Sequence, residues 1–270
     1  MATALITGAT AGIGLEFARQ LAAEQHDLVL VARTAAKLAE VAAEFRTEYG
    51  VQVETIAADL AKPDDLARVT ARLKITEPTT PKDPQAFDRN PSEVQKPVSI
   101  LVNNAGFGTG QPFIGGDIAK EIAVIDVLIT AVMVLSKAAA EQMVPRGKGA
   151  IINIGSIAAL TAGGTYAAAK AWVRTFTEGL AAELKGTGVT ATVIAPGLTR
   201  SEFHQRAGIK ADVFPAWSWL DAKQVVSEGL AAARRGAVHS TPSRRYKAAA
   251  AALRVAPRSI VGAIGKPPGL

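Results

Sequence analysis

Tyr166 and Lys170 are the two side chains whose types and spacing most directly indicate chemistry in this sequence. A spacing of four residues in a helix-forming stretch places them on one face of the helix. A tyrosine phenol, with a pKa near about 10, is a poor base at neutral pH, but a neighbouring ammonium favours the phenolate and lowers that pKa. The pair is therefore predicted to serve acid–base chemistry, in which the tyrosine gives a proton to a developing alkoxide or takes one from an alcohol.

A glycine-rich segment near the N-terminus, T-G-A-T-A-G-I-G over 7–14, follows an apolar run and opens a helix-forming stretch. Gly8 allows a tight exit from a strand, Gly12 lets the backbone approach a pyrophosphate, and Gly14 lets the helix pack closely. The free N–H groups and positive dipole end of the helix then face the phosphates. Because this segment has the strand–turn–helix context that such a site requires, we expect it to bind a dinucleotide.

Short apolar runs alternate with longer segments of helical periodicity, and these elements must position both motifs. Strands are predicted over 3–7, 28–31, 51–56, 100–102, 150–154 and 190–194. Helices are predicted near 13–24, 35–48, 63–73, 118–143, 166–185 and 221–234. Successive right-handed βαβ crossovers predict the α/β class, with a doubly wound, Rossmann-type parallel sheet flanked by helices in a single domain over 1–270.

Two segments interrupt this alternation. Residues 74–97 contain five prolines and are expected to form a solvated surface loop, with a partner-binding loop as the alternative. The C-terminal extension from about 234 to 270 contains eight Lys and Arg residues and no acidic residue. It is expected to cover the substrate pocket or a sheet edge, and an anionic membrane surface is the weaker alternative.

The composition excludes several classes of protein. Of the 270 residues, 49% are hydrophobic and 20% are charged, which excludes an intrinsically disordered chain. The chain has no Cys and three scattered His, so neither a thiolate nucleophile nor a metal site is expected. Its basic excess is confined to the C-terminal extension, so no nucleic-acid partner is expected. No signal peptide or apolar stretch of about 20 residues is evident, and a cytoplasmic location is therefore expected.

The G-x-x-x-G-x-G spacing over 8–14 resembles that of the short-chain dehydrogenase/reductase family, and three further motifs agree. N-N-A-G over 103–106 follows the fourth predicted strand, P-G over 196–197 follows the sixth, and Y-A-A-A-K over 166–170 opens a helix with Ser156 upstream. The resemblance covers residues 3–203 closely. It implies an oxidoreductase that interconverts a carbonyl and an alcohol by hydride transfer. Tyr166 would be the acid–base residue, Lys170 would also bind the nicotinamide ribose, and Ser156 would polarise the substrate carbonyl.

The end of the second predicted strand favours NADP(H) over NAD(H). An acidic residue there would bind the ribose 2′-hydroxyl, but the sequence offers Arg33, whose guanidinium suits a 2′-phosphate, and Asp27 lies at the other end. The resemblance implies that Asp59 contacts the adenine and that Ser201 holds the nicotinamide carboxamide. It assigns further cofactor contacts to Gly8, Thr10, Gly12, Ile13, Gly14, Leu60, Asn103, Ala105, Gly106, Tyr166, Lys170, Pro196 and Gly197.

Two features depart from the family pattern. Tyr166 follows Ser156 by ten positions, where the family usually has a longer spacing, so the reach of Ser156 is open and Thr161 or Thr165 is an alternative hydroxyl. Leu128 stands where the family commonly carries an Asn that helps relay protons to the Lys, partly by interrupting the regular hydrogen bonding of its helix. These departures keep a non-catalytic or regulatory NADP(H)-binding protein as the alternative function.

The predicted helix over 118–143 bears on possible partners. It is apolar on nearly all sides between 122 and 135, so burial on more than one side is expected. The corresponding helix of the family pairs across a dimer interface, and a homodimer or homotetramer is therefore expected. The substrate is expected to be a small carbonyl or alcohol. Lipid-like ketones, acyl thioesters, steroids and small diketones all stay open, because a fold does not choose among them.

Overall fold

The computed structural model describes residues 2–77, 95–203 and 214–257, together with 259 and 261. Its centre is a seven-stranded parallel sheet in the order β3-β2-β1-β4-β5-β6-β7. The strands are β1 (Thr3–Thr7), β2 (Asp27–Ala32), β3 (Val53–Ala57), β4 (Val98–Asn103), β5 (Gly149–Ile154), β6 (Val189–Ile194) and β7 (His239–Ser240). This sheet confirms the doubly wound α/β class. The chain order reverses beside β1, the position at which such sheets bind ligands beyond the carboxyl ends of their strands.

Helices cover both faces of the sheet. They are α1 (Gly12–Ala23), α2 (Ala35–Tyr49), α3 (Pro63–Leu73), α4 (Ile118–Ile125), α5 (Ala131–Met143), α6 (Gly164–Glu183), α7 (Ala222–Arg234) and α8 (Arg244–Val255). Alternate residues of a strand point to opposite faces, so Ile6 of β1 lies in the core beneath α1, α2 and α7. Its neighbour Leu5 lies in the core beneath α3 and α5. Because both faces are covered, every residue of β1 is buried.

The helix predicted over 118–143 is interrupted. A π-helical turn, Asp126–Thr130, separates α4 from α5, and the Ala131 N–H donates to the Asp126 carbonyl five residues earlier. Leu128 lies inside this turn and is fully buried. The expected burial on several sides is incomplete, because Ile118, Ile122 and Ile125 are 63%, 51% and 41% exposed. These three residues form an apolar stripe along α4.

The C-terminal extension adds β7 and α8, which the sequence pattern does not predict. β7 pairs in parallel with β6 and thus covers that edge of the sheet. Within the described residues, no helix has the length and apolar character needed to cross a membrane. Most of the predicted proline-rich loop, 78–94, and the end of the extension, 262–270, lie outside the described residues.

Candidate active site

The glycine-rich loop joins the carboxyl end of β1 to the N-terminus of α1. Gly8 and Gly12 have φ values of 68° and 54°, in the left-handed region that favours glycine. The Gly8 N–H donates to the Val31 carbonyl at 2.7 Å, which draws the loop against the end of β2. A Cβ at Gly14 would collide with the Gly8 carbonyl and with the side-chain amide of Asn104. Each glycine of the motif therefore lies where a residue with a Cβ would be sterically disfavoured.

Asn104 holds the loop after β4 against the loop after β1. Its side-chain amide donates to the Thr7 carbonyl at 2.9 Å and to the Gly8 carbonyl at 3.2 Å. In return, the Thr7 hydroxyl oxygen accepts from the N–H groups of Asn104 and Ala105 at 2.9 and 3.0 Å. Asn104 thus stabilises the carboxyl edge of the sheet, and Gly106 follows in the same loop.

The side chain of Asn103 points into the protein. Its amide donates to the Ser136 hydroxyl at 3.0 Å and to the Asn153 side-chain carbonyl at 2.9 Å. Asn153 then donates to the Thr177 hydroxyl at 2.9 Å. This buried network joins β4 and β5 to α5 and α6, so the Asn103 side chain serves the core and only its backbone faces the loop. The spacing of the motif does not reveal this direction.

The predicted adenosine-binding residues follow β2 and β3. Arg33 comes directly after β2, is exposed, and pairs with no carboxylate among the described residues. Asp27 lies at the opposite end of β2, where it forms an ion pair with Lys96 at 2.8 Å. After β3, the Asp59 carboxylate accepts from the Ala61 N–H at 3.2 Å, and this turn fixes its place. The carboxyl end of β2 therefore presents a guanidinium and no acid.

Tyr166 and Lys170 lie in the first two turns of α6, beside the carboxyl end of β5. The Lys170 ammonium is buried, donates to the Ile154 carbonyl at 2.7 Å, and lies 5.8 Å from the centroid of the Tyr166 ring. Burial lowers the pKa of Lys170 to about 8. Burial also raises the pKa of Tyr166 to about 12, although a hydrogen bond with Ser156 acts in the opposite direction. The expected lowering of the Tyr166 pKa is thus absent from the protein alone, because desolvation of the phenol outweighs its neighbours.

Ser156 reaches Tyr166 despite the short connection. It is the extended residue after β5, and its hydroxyl oxygen accepts from the Ala158 N–H at 3.1 Å, which caps a 3₁₀ turn over Ile157–Leu160. The Ser156 side chain acts to lower the pKa of Tyr166, so this compact turn keeps the serine near the phenol. Thr161 uses its hydroxyl to donate to the Ala158 carbonyl at 2.9 Å. Ser156 is therefore the hydroxyl that the fold brings to the tyrosine.

Leu128 and Lys170 both lie close to Gly106. A Cβ at Gly106 would lie 2.7 Å from Leu128 Cδ2 and 3.7 Å from Lys170 Nζ. Leu128 also shares an apolar cluster with Val124 and Tyr166. The glycine of the N-N-A-G motif thus makes room for a side chain that offers no polar atom beside the lysine.

The loop after β6 closes the other side of the site. The Pro196 carbonyl accepts from the Ile157 N–H at 3.0 Å, which ties this loop to the one that carries Ser156. A Cβ at Gly12 would lie 2.8 Å from Ser201 Cβ, so Ser201 faces the glycine-rich loop. Two residues later, the Phe203 ring lies 5.5 Å from the Tyr166 ring, between centroids. Phe203 is a site residue that the sequence analysis missed, and its only signal is its place just after the P-G motif.

The residues of this edge of the sheet fit a nicotinamide adenine dinucleotide cofactor. The glycine-rich loop lacks side chains where a pyrophosphate must approach the N-terminus of α1, and Thr10 and Ile13 lie in the same segment. Arg33 is exposed directly after β2. Leu60, which follows Asp59, is buried beneath this edge. Among the described residues, no cluster of three or more His, Asp or Glu could hold a metal ion.

Comparison with known proteins agrees with this geometry. The family model described as short chain dehydrogenase matches residues 2–77 and 82–211. Galactitol 2-dehydrogenase (L-tagatose-forming) of Cereibacter sphaeroides is 33% identical over 221 residues, which make up 80% of this chain and 78% of that protein. Sulfoacetaldehyde reductase 2 of Chromohalobacter salexigens is 34% identical over 204 residues, or 74% of this chain and 73% of that protein. A solved structure of a short-chain dehydrogenase from Sphingobium yanoikuyae in complex with NADPH has a TM-score of 0.80 and 34% identity, and the match covers 94% of this chain and 92% of that one.

Proposed function

The chain belongs to the short-chain dehydrogenase family, and we propose that it is an NADP(H)-dependent oxidoreductase that interconverts a carbonyl and an alcohol. The observation that carries the proposal is the grouping of Ser156, Tyr166 and Lys170 at the carboxyl edge of the sheet. Gly106 lies close to Lys170, and its loop is bound to Gly8, so the acid–base group and the phosphate-binding loop lie along the same edge of the sheet.

The charge distribution at the end of β2 supports NADP(H) over NAD(H). Arg33 would bind the 2′-phosphate, and the N–H groups at the start of α1 would bind the pyrophosphate. Asp27 is held by Lys96 at the far end of the strand and offers no acid to a ribose 2′-hydroxyl. When bound, the nicotinamide supplies or accepts the hydride. The Sphingobium yanoikuyae structure is itself an NADPH complex.

Tyr166 holds the proton that the substrate oxygen receives in the reductive direction. Because its pKa is raised to about 12, the phenol is protonated at neutral pH. The Ser156 hydroxyl can hydrogen-bond both the phenol and a substrate oxygen, which aligns the proton with its acceptor. Lys170 Nζ lies 5.8 Å from the centroid of the Tyr166 ring, and its positive charge stabilises the phenolate as the proton leaves. Each residue of the group thus has a separate task.

The surroundings of Tyr166 favour a substrate with apolar groups next to its carbonyl. Phe203 lies against one side of the phenol, and Leu128 packs in the same cluster as Tyr166.

The stripe of Ile118, Ile122 and Ile125 on α4 is exposed and supports assembly into a homodimer or homotetramer, because an exposed apolar patch of this kind marks an interface.

The experiment is NADPH oxidation, followed by absorbance, with aliphatic ketones, acyl thioesters, steroids and diketones as carbonyl substrates. Tyr166→Phe removes the proton donor and should lower turnover by about 10²–10⁴-fold with little change in the dissociation constant for NADPH. Tyr49→Phe, at the far end of α2, is the matched control and should retain full turnover. A Tyr166→Phe protein that keeps more than about a tenth of the rate would show that the acid–base residue was wrongly assigned. NADPH binding without turnover of any carbonyl would instead favour the non-catalytic alternative.

A further inference from the structure

The C-terminal helix α8 lies directly on the loop that follows β6. Its start is fixed by Ser243, whose φ is 75° and whose N–H donates to the Glu228 carboxylate of α7 at 3.1 Å. From there α8 runs to Val255 and contacts the 3₁₀ turn Ile157–Leu160. One helix therefore packs against the loop that carries Ser156 and the loop that carries Ser201.

Tyr246, in the first turn of α8, makes the closest of these contacts. Its ring lies flat against Gly197, and a Cβ at Gly197 would collide with three carbon atoms of that ring. The glycine of the P-G motif is consequently required here by the tyrosine and not by a positive φ, since Gly197 has none. Any side chain at this position would separate α8 from the loop.

The Tyr246 hydroxyl joins two backbone segments. It accepts from the Leu198 N–H at 3.1 Å and donates to the Ser218 carbonyl at 2.8 Å. The same two segments also pair directly, because the Leu220 N–H donates to the Leu198 carbonyl at 2.7 Å and the Arg200 N–H donates to the Leu220 carbonyl at 3.0 Å. Tyr246 thus completes a short ladder that fixes residues 198–200 between Gly197 and Ser201.

We propose that Tyr246 is a positioning residue for the cofactor: it holds the 196–201 segment in the shape that places Ser201 opposite Gly12. The inference rests on the proposed NADP(H) site and adds to it a residue from the C-terminal extension. A segment already held in its binding conformation loses less conformational freedom when the dinucleotide binds. Without the hydroxyl, the Leu198 N–H loses its acceptor, and the segment must be ordered at the expense of binding free energy.

The test compares Tyr246→Phe with the wild type and with Tyr49→Phe, all at a temperature well below unfolding. Hydrogen–deuterium exchange of the Leu198 amide, in the protein without NADPH, should be faster in Tyr246→Phe and unchanged in Tyr49→Phe. The dissociation constant and the KM for NADPH should both rise about three- to tenfold in Tyr246→Phe, which is the fold-change expected from one net hydrogen bond. Its kcat should change by less than about twofold, because no group that contacts the reacting atoms is removed.

The outcomes separate this inference from the proposed function. Faster exchange with an unchanged affinity for NADPH would show that Tyr246 only stabilises the fold, and unchanged exchange would show that the hydroxyl does not hold the segment. Either result overturns the inference and leaves the proposed function standing. A wild type that folds but does not bind NADPH would overturn both. Tyr246→Leu, which also removes the ring from Gly197, should weaken NADPH binding at least as much as Tyr246→Phe.

Discussion

Replacing Lys170 with Met should relieve an electrostatic cost that the fold imposes on the protein without cofactor. Burial lowers the pKa of Lys170 from 10.5 to about 8. Each unit by which the pKa is lowered corresponds to about 1.4 kcal/mol. The buried ammonium therefore reduces the free energy of unfolding by about 3 kcal/mol. Below pH 8 the lysine is protonated in both states and the full cost is present. Between pH 8 and 10.5 the folded state binds fewer protons than the unfolded chain, so the free energy of unfolding of the wild type rises with pH.

The measurement is urea denaturation of Lys170→Met and the wild type across this pH range, without NADPH. The free energy of unfolding of the variant minus that of the wild type should fall by about 3 kcal/mol from below pH 8 to above 10.5. Loss of the donor to the Ile154 carbonyl costs about 1–3 kcal/mol, but it shifts the difference equally at every pH. Tyr166, whose pKa is raised, lowers stability at high pH in both proteins and cancels. Lys148→Met, at an exposed lysine, should follow the wild type throughout, and a difference for Lys170→Met that is constant with pH would refute the burial argument.

Two further substitutions address the cofactor and the proton path. Arg33→Asp should reverse the preference from NADPH to NADH in direct binding titrations, because a carboxylate repels a 2′-phosphate and accepts from a ribose 2′-hydroxyl; equal affinity of the wild type for both dinucleotides would contradict the assignment. Leu128→Asn should raise kcat with little change in the KM for NADPH, and should reduce the solvent isotope effect, if proton supply limits turnover. A Leu128→Asn protein of wild-type stability with unchanged or lower kcat would exclude that limit, and stability must be measured because an unpaired buried amide costs about 1–3 kcal/mol.

The sequence predicts those parts of the fold that repeat a regular pattern. The strands β1 to β6 and the helices α1 to α3 are found within a few residues of their expected bounds, because their periodicity reflects burial on one or both sides. The sequence predicts that Gly8 and Gly12 are needed for the backbone of the loop, and both adopt positive φ. It predicts that Gly14 allows close packing of the helix, and the Gly8 carbonyl and Asn104 do occupy the space that a Cβ would need.

Features that depend on tertiary packing could not be predicted in this way. β7 has two residues, His239 and Ser240, and such a strand exists only because β6 offers it an edge. α8 is rich in alanine, so its pattern gives no strong apolar face, and its place depends on tertiary contacts such as that of Tyr246 with Gly197. The inward direction of the Asn103 side chain is equally invisible, because its partners Ser136 and Asn153 come from distant parts of the chain.

The π-helical turn separates two roles that the family resemblance assigns together to one Asn. By the resemblance, the family's Asn interrupts the hydrogen bonding of the helix and also supplies a polar atom that helps relay protons to the Lys. Here the interruption over Asp126–Thr130 is present although Leu128 occupies the position. The irregular backbone therefore does not require an amide side chain at position 128, where Leu128 packs near Gly106. What the chain lacks is the polar atom alone, so any proton that reaches Lys170 must pass by backbone carbonyls, such as that of Ile154, by a cofactor hydroxyl, or by water.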